Sequence, residues 1–140
     1  MTPFADSTML QSHTSALPSL DSAELGATAL TAYFNITAAW GLSAEEERTL
    51  LGSPPRSTFF KWKSERAARL SADTIERISY VMGIYKALRI LLPTSEAAHA
   101  WVRKPNTAAG FGGKSALERM LAGRVVDLAD VRRYLDAERG

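Results

Sequence analysis

The chain has 140 residues, 46% of them hydrophobic and 23% charged, with 17 Lys and Arg against 15 Asp and Glu for a formal net charge of +2. That is enough apolar material for one ordinary core or two small ones, with neither the apolar run of about 18 residues that spans a membrane nor the pattern of a secretory leader, so a cytoplasmic protein is expected. With no cysteine, and with only His13 and His99 far apart in sequence, the chain offers no disulfide, thiolate zinc site, cysteine nucleophile or histidine metal site, and no cofactor is expected.

Residues 1–21 are rich in Ser, Thr and Pro without sustained periodicity and read as a tail without chemistry. A first helix is expected over Ser22–Trp40, with Leu25, Ala29, Ala32, Tyr33, Ile36 and Trp40 at helical spacing and Gly41 as the stop. Ser43 followed by Glu46 forms a capping box, and Glu45, Glu46 and Glu47 suit the positive end of the short helix that runs to Leu51. Gly52 ends it, and in "SPPRS" the prolines fix φ and suit the first turn of another helix, expected over Arg56–Ala67.

Ser71 caps a long helix, Ala72–Leu92, whose Ile75, Ile78, Val81, Met82, Tyr85, Leu88 and Leu92 form an apolar stripe until Pro93 stops it. "TSEAAHAWVRK" is a short helix, "PNTAAGFGG" a loop, and "SALERMLA" a helix with a second capping box, Ser115 to Glu118, and Gly123 as its stop. A final amphipathic helix over Leu128–Arg139 buries Leu128, Val131 and Leu135. With no strand pattern, the fold class is all-α, with three segments: the tail at 1–21, a helical region at 22–93, and a separate C-terminal unit at 94–140.

Charge is polarised along this order. Residues 1–47 carry six acids and no Lys or Arg, whereas residues 48–69 carry Arg48, Arg56, Lys61, Lys63, Arg66 and Arg69 against Glu65 alone. Such a run is ordinarily a solvated face. Here, however, two short helices joined by a tight glycine-containing turn, the second of them basic, have the form of a helix-turn-helix, whose second helix enters the DNA major groove. At 100° per residue, Phe59 and Trp62 face the core, while Ser57, Phe60, Lys61 and Ser64 lie opposite. Lys61 suits guanine O6 and N7, Ser57 and Thr58 a base edge or phosphate, and Phe60 a thymine methyl, if it is not core. Arg56, Lys63, Arg66 and Arg69 flank them within reach of phosphates, and Arg66 and Arg69 have Glu65 and Asp73 as alternative partners.

The second half shows no catalytic constellation. Gly113, Lys114 and Ser115 open a helix as a phosphate loop does, but Ala108 stands where that motif needs glycine and no strand feeds the loop. Asp127, Asp130, Asp136 and Glu138 lie among Arg132, Arg133 and Arg139, where pairing along one helix explains them. His99 has no nucleophile near it in sequence, so no enzymatic activity is expected.

"SAEEERTLLGSPPRSTFFKWK" and "AHAWVRKPNTAAGFGGKSALERMLAGRVVDLADVRRYL" resemble the Xre/MbcA/ParS family of bacterial antitoxins over about Leu25 to Gly140. The resemblance rests on Trp101, Pro105, Asn106, Gly110, Gly112, Gly113, Leu117, Leu121, Gly123, Val131 and Leu135. It departs at Pro54 and Pro55, where relatives often carry a small polar cap. The resemblance implies an antitoxin whose helix-turn-helix binds the operator of its own operon and whose C-terminal domain neutralises a RES-domain toxin, an enzyme similar to ADP-ribosyltransferases that attacks NAD⁺. Arg132, Arg133, Asp136, Arg139 and Gly140 on the last helix are the residues expected to cover the toxin's NAD⁺ site. Operator binding implies a dimer, as part of a larger toxin-antitoxin complex, with recognition helices about 34–36 Å apart or a multiple of that. The long helix, broadened by Tyr80, Ile84, Tyr85 and Leu91, is the expected dimer face. The alternative is a transcription regulator with a C-terminal dimerisation domain and no toxin.

Overall fold

The computed structural model describes residues 22–140, so the tail expected at 1–21 lies outside the described residues. Seven α-helices follow in order: α1 (Ala23–Ala39), α2 (Ala44–Leu50), α3 (Arg56–Glu65), α4 (Ala72–Leu91), α5 (Ser95–Ala100), α6 (Ala116–Met120) and α7 (Val125–Arg139), with a single 3-10 turn at Trp101–Arg103 after α5. No strand occurs among the described residues; Pro105 and Ser115 form an isolated bridge across the glycine-rich loop.

The helix starts follow from short hydroxyl side chains. Ser22, Ser43, Ser71, Thr94 and Ser115 each accept a hydrogen bond from a first-turn amide, and Ser43 and Ser115 complete capping boxes with Glu46 and Glu118. Each cap satisfies a donor that would otherwise lack a partner, worth about 1 kcal/mol against alanine. Gly41, Gly52 and Gly123 take left-handed φ values of 70°, 94° and 90° just beyond α1, α2 and α6, where a side chain would be strained.

α4 is the central strut. Ile78, Val81, Ile84, Ala87 and Leu88 are fully buried along it, and it packs against α1 and α7. Leu30, Tyr33, Phe34, Leu50 and Phe59 from the first half join Met120, Leu128, Val131 and Leu135 from the second in one contiguous core.

Four local expectations are corrected. α3 ends at Glu65 rather than Ala67, because Arg66 turns left-handed (φ 54°, ψ 34°) and its Nε donates to the Lys63 carbonyl. Pro55 serves as the N-cap of α3 with no side-chain hydrogen bond, instead of standing in its first turn. α7 begins at Val125 rather than Leu128, because the Asp127 carboxylate accepts from the backbone and side chain of Arg124 and so starts the helix early. On α4, Met82 is 41% exposed, while Ile84 is buried by this chain's own helices. Much of the surface expected to pair two copies is therefore core, with Tyr80, Tyr85 and Leu91 half-buried against it.

Candidate nucleic-acid and partner-binding surfaces

The helix-turn-helix is bolted together by a carboxylate. Glu47 on α2 is 3% exposed; its Oε1 accepts from Lys63 Nζ on α3 at 2.6 Å and its Oε2 from Thr37 Oγ1 on α1 at 2.6 Å. The Tyr33 hydroxyl donates to the Glu47 carbonyl at 2.7 Å, and burial, with the nearby Glu47 charge adding to it, pushes the phenol well above its ordinary pKa. One acidic residue thus joins three helices. Reading all three glutamates as dipole partners missed it, although helical spacing separates Glu47, three and four residues before buried Leu50 and Leu51, from Glu45 and Glu46.

Around that bolt, Phe34 carries two cations on its ring, Arg66 at 5.0 Å and Lys63 at 5.8 Å from the centroid, and meets Phe59 edge-on at 5.8 Å. Lys63 and Arg66 therefore hold the scaffold from the flank of α3. Arg48 does similar work in the turn, donating to the Pro54 carbonyl at 2.8 Å.

The outward face of α3 presents Ser57, Phe60, Lys61 and Ser64, all exposed, with Thr58 half-buried beside them. Among the described residues Lys61 has no ion pair. Arg56 pairs with Glu45 at 3.1 Å across side chains 66% and 50% exposed, a contact easily exchanged for another anion. Arg69 is exposed just beyond α3. The structure so brings Arg56, Ser57, Thr58 and Lys61 to one side and sets Lys63 and Arg66 at its anchored edge.

In the second half, Phe111 is tucked under the glycine-rich loop against Trp101 and Tyr134, whose rings stack at 6.5 Å. Arg119 is the hub there: Nη1 donates to the Gly110 carbonyl at 2.6 Å, Nε to Asp127 at 3.2 Å and Nη2 to Asp130 at 2.6 Å. Asp127 is buried, and hydrogen bonds from Arg124, and then from Arg119, outweigh the burial and hold its carboxyl below the ordinary range. Asp127 and Asp130 thus fasten the loop through Arg119, in addition to the i, i+3 pairs with Arg124 and Arg133 of the kind the sequence suggested. The signal was available, since Asp127 precedes Val131 and Leu135 by four and eight residues on the buried face.

The outer side of α7 ends in a ladder. Asp136 lies 3.5 Å from Arg132 and 3.6 Å from Arg139, while Arg133 pairs back to Asp130 at 2.7 Å. The Arg132 guanidinium also lies across Gly83 of α4, where a β-carbon would come within 2.5 Å of it. Residues 136–140 are all exposed, and Leu135 is the last buried residue.

Two arginines clasp the halves together. Arg77, on α4, lies against Gly52 of the first turn, pairs with Asp73 at 3.0 Å and donates to the Gly123 carbonyl at 2.9 Å. Arg103 donates to the Gly41 carbonyl at 2.8 Å and to Glu46 at 2.9 Å. Burial would raise the Glu46 pKa, but the Ser43 amide and Arg103 prevail and lower it. No helix among the described residues is long and apolar enough to cross a membrane.

Comparison with known proteins matches each half of the chain to a family. Residues 19–83 match the antitoxin Xre-like helix-turn-helix domain, and residues 87–140 match the antitoxin Xre/MbcA/ParS C-terminal toxin-binding domain. Uncharacterized protein y4oB of Sinorhizobium fredii (strain NBRC 101917 / NGR234) is 54% identical over 123 residues, covering 88% of this chain and 92% of that protein. With one half matched by the DNA-binding fold and the other by the toxin-binding fold of the same group, the chain belongs to the Xre/MbcA/ParS antitoxin family.

Proposed function

We propose that this antitoxin neutralises a RES-domain toxin by covering its NAD⁺ site with α7, and that as a cytoplasmic homodimer within the toxin-antitoxin complex it represses its own operon through α3. The observation that carries the first part is the exposed Arg132–Asp136–Arg139 ladder, which lies at the end of the segment matched by the toxin-binding domain. Its pairs are long and solvated, so exchanging them for a partner's charges costs little. Asp136 suits cations that normally hold the dinucleotide's phosphates, and Arg139, with Arg133 and Gly140 beside it, suits an acidic catalytic group. Arg132 supports the ladder from its place across Gly83.

For operator binding, Lys61, Ser57 and Thr58 face the bases and Arg56 and Arg69 the phosphates, with anchored Lys63 and Arg66 adding positive potential at the edge. Two copies would set their α3 helices about 34–36 Å apart. The test is growth of a host expressing a neighbouring RES-domain gene, with cellular NAD⁺ assayed in parallel. The full chain should restore both growth and NAD⁺, and a chain lacking Asp136–Gly140 should restore neither while remaining folded, because every residue removed lies beyond the last buried one. Full neutralisation by the folded, shortened chain would remove the terminal residues from the mechanism. A toxin that the intact chain never relieves would favour a regulator without a toxin partner.

A further inference from the structure

The recognition helix holds an apolar side chain where solvent-facing helices carry polar ones. Phe60 is 49% exposed on the outward side of α3, and it meets fully buried Phe59 edge-on, at 5.0 Å between ring centroids and 73° between planes. Phe59 contacts Phe34 in the same manner, and Phe34 contacts Tyr33 at 5.3 Å. The exposed ring is thus the outer end of an aromatic row rooted in the core. Its neighbours along the face, Ser57 and Ser64, are short, and the Ser64 hydroxyl folds back on the Lys61 carbonyl at 3.3 Å. Phe60 therefore stands above the surface beside Lys61.

We infer that Phe60 is a specificity-determining residue that reads the 5-methyl group of a thymine in the major groove, next to a guanine read by Lys61. This rests on the DNA-binding reading of α3. Three observations favour DNA as the occupant. The ring shares its helix or the helix cap with four basic residues, Arg56, Lys61, Lys63 and Arg66. Ser57, Phe60, Lys61 and Ser64 on the outward face include no Asn, Gln or Asp, and Glu65 lies only at its border, so beside the hydroxyls the face offers apolar contact and a cationic donor. A lone ring between two serines is also too small a patch for a protein interface. Because Phe60 and Lys61 are consecutive and both on the outward face, the two bases they contact are near each other in the site.

The test separates the methyl group from the rest of the base. The best duplex for the full chain is selected from a random pool, and each thymine in it is replaced in turn by 2′-deoxyuridine, which lacks only that methyl. At one position per half-site the replacement should weaken binding about four-fold, as expected for burial of one methyl group. Phe60→Ala should bind the original duplex about four-fold more weakly and no longer distinguish thymine from uracil, with the Lys61 preference for guanine retained. Phe60→Leu, still apolar, should keep part of the discrimination. If every uracil duplex binds the parent chain as tightly as thymine does, the inference is overturned while specific DNA binding stands. It is equally overturned if Phe60→Ala keeps the discrimination, or if its loss instead abolishes toxin neutralisation. Failure of the parent chain to enrich any sequence over competitor DNA would overturn the inference together with the DNA-binding reading. Should Phe60→Ala not fold, Phe60→Leu decides: discrimination as full as the parent's would overturn the inference, and partial discrimination is expected.

Discussion

Lys63→Met isolates the Glu47 bolt, because methionine keeps the apolar stem of the side chain and removes only its charge. The carboxylate left behind is 3% exposed and retains one partner, Thr37, from the pair that held it. Removing one member of a fully buried ion pair costs about 3–5 kcal/mol. Since the Lys63 side chain is 40% exposed, water reaches the vacated side, and the expected loss is smaller, about 2 kcal/mol. For a chain of this size that lowers Tm by about 6–12 °C, measured by circular dichroism or calorimetry. Glu47→Gln combined with Lys63→Met should recover at least half of the loss, because glutamine keeps an oxygen for the Thr37 hydroxyl and leaves no buried charge. A Lys63→Met protein melting within about 1 °C of the parent, or strictly additive effects in the pair, would refute the argument. The DNA assay gives an independent reading: once folded, Lys63→Met should leave the salt dependence of binding nearly unchanged, whereas Arg56→Met should reduce its slope by about one and Lys61→Met should relax the preference for guanine.

Gly26→Ala should be among the most destabilising small substitutions, by about 3 kcal/mol or more, because a β-carbon there collides with the Ala68 carbonyl, which is backbone and has nowhere to move. Gly83→Ala behaves oppositely: the obstacle is the flexible end of Arg132, and alanine gains up to about 1 kcal/mol of helix propensity. Its Tm should hold or rise while Arg132 swings away, so weaker toxin neutralisation by a stable protein would show that the position of Arg132 matters, and full neutralisation that it does not. Acid should destabilise the chain partly through Asp127, whose lowered pKa contributes stability that is complete above the ordinary carboxylate range and is lost as the pH falls through the lower folded value. Tm followed from about pH 6 down to about pH 3 should therefore fall more steeply for the parent than for Asp127→Asn, and parallel curves would contradict this.

The helix boundaries were legible wherever a local chemical device sets them. Ser43 with Glu46 and Ser115 with Glu118 cap as their spacing demands, and Gly41, Gly52 and Gly123 stop helices as expected. The face of α3 was legible too, because burial of Phe59 with exposure of Ser57, Phe60, Lys61 and Ser64 follows from helical periodicity alone. What could not be read was the assignment of charges to partners distant in sequence. Glu47 and Lys63 are sixteen residues apart and Arg77 and Gly123 forty-six, and such pairs depend on how helices stack, which no local window contains. The early start of α7 was missed for a different reason: its Arg124–Asp127 box has the same three-residue spacing as the others, but Arg124 is a poor capping residue by type.

The two matched domains end and begin at residues 83 and 87, and both positions lie inside α4, which runs unbroken from Ala72 to Leu91. The join between the functions is therefore a rigid shaft with no hinge. One residue inserted between those positions would turn everything beyond it by about 100° and advance it about 1.5 Å along the axis. It would break the lodging of Arg132 across Gly83 and the clasp of Arg77 on Gly123 together. Side chains on the face of α3 or in the ladder of α7 can change one at a time, whereas an insertion or deletion at the junction displaces every contact across it at once. An engineered exchange of toxin-binding halves between relatives has to preserve the helical phase of α4 to the residue.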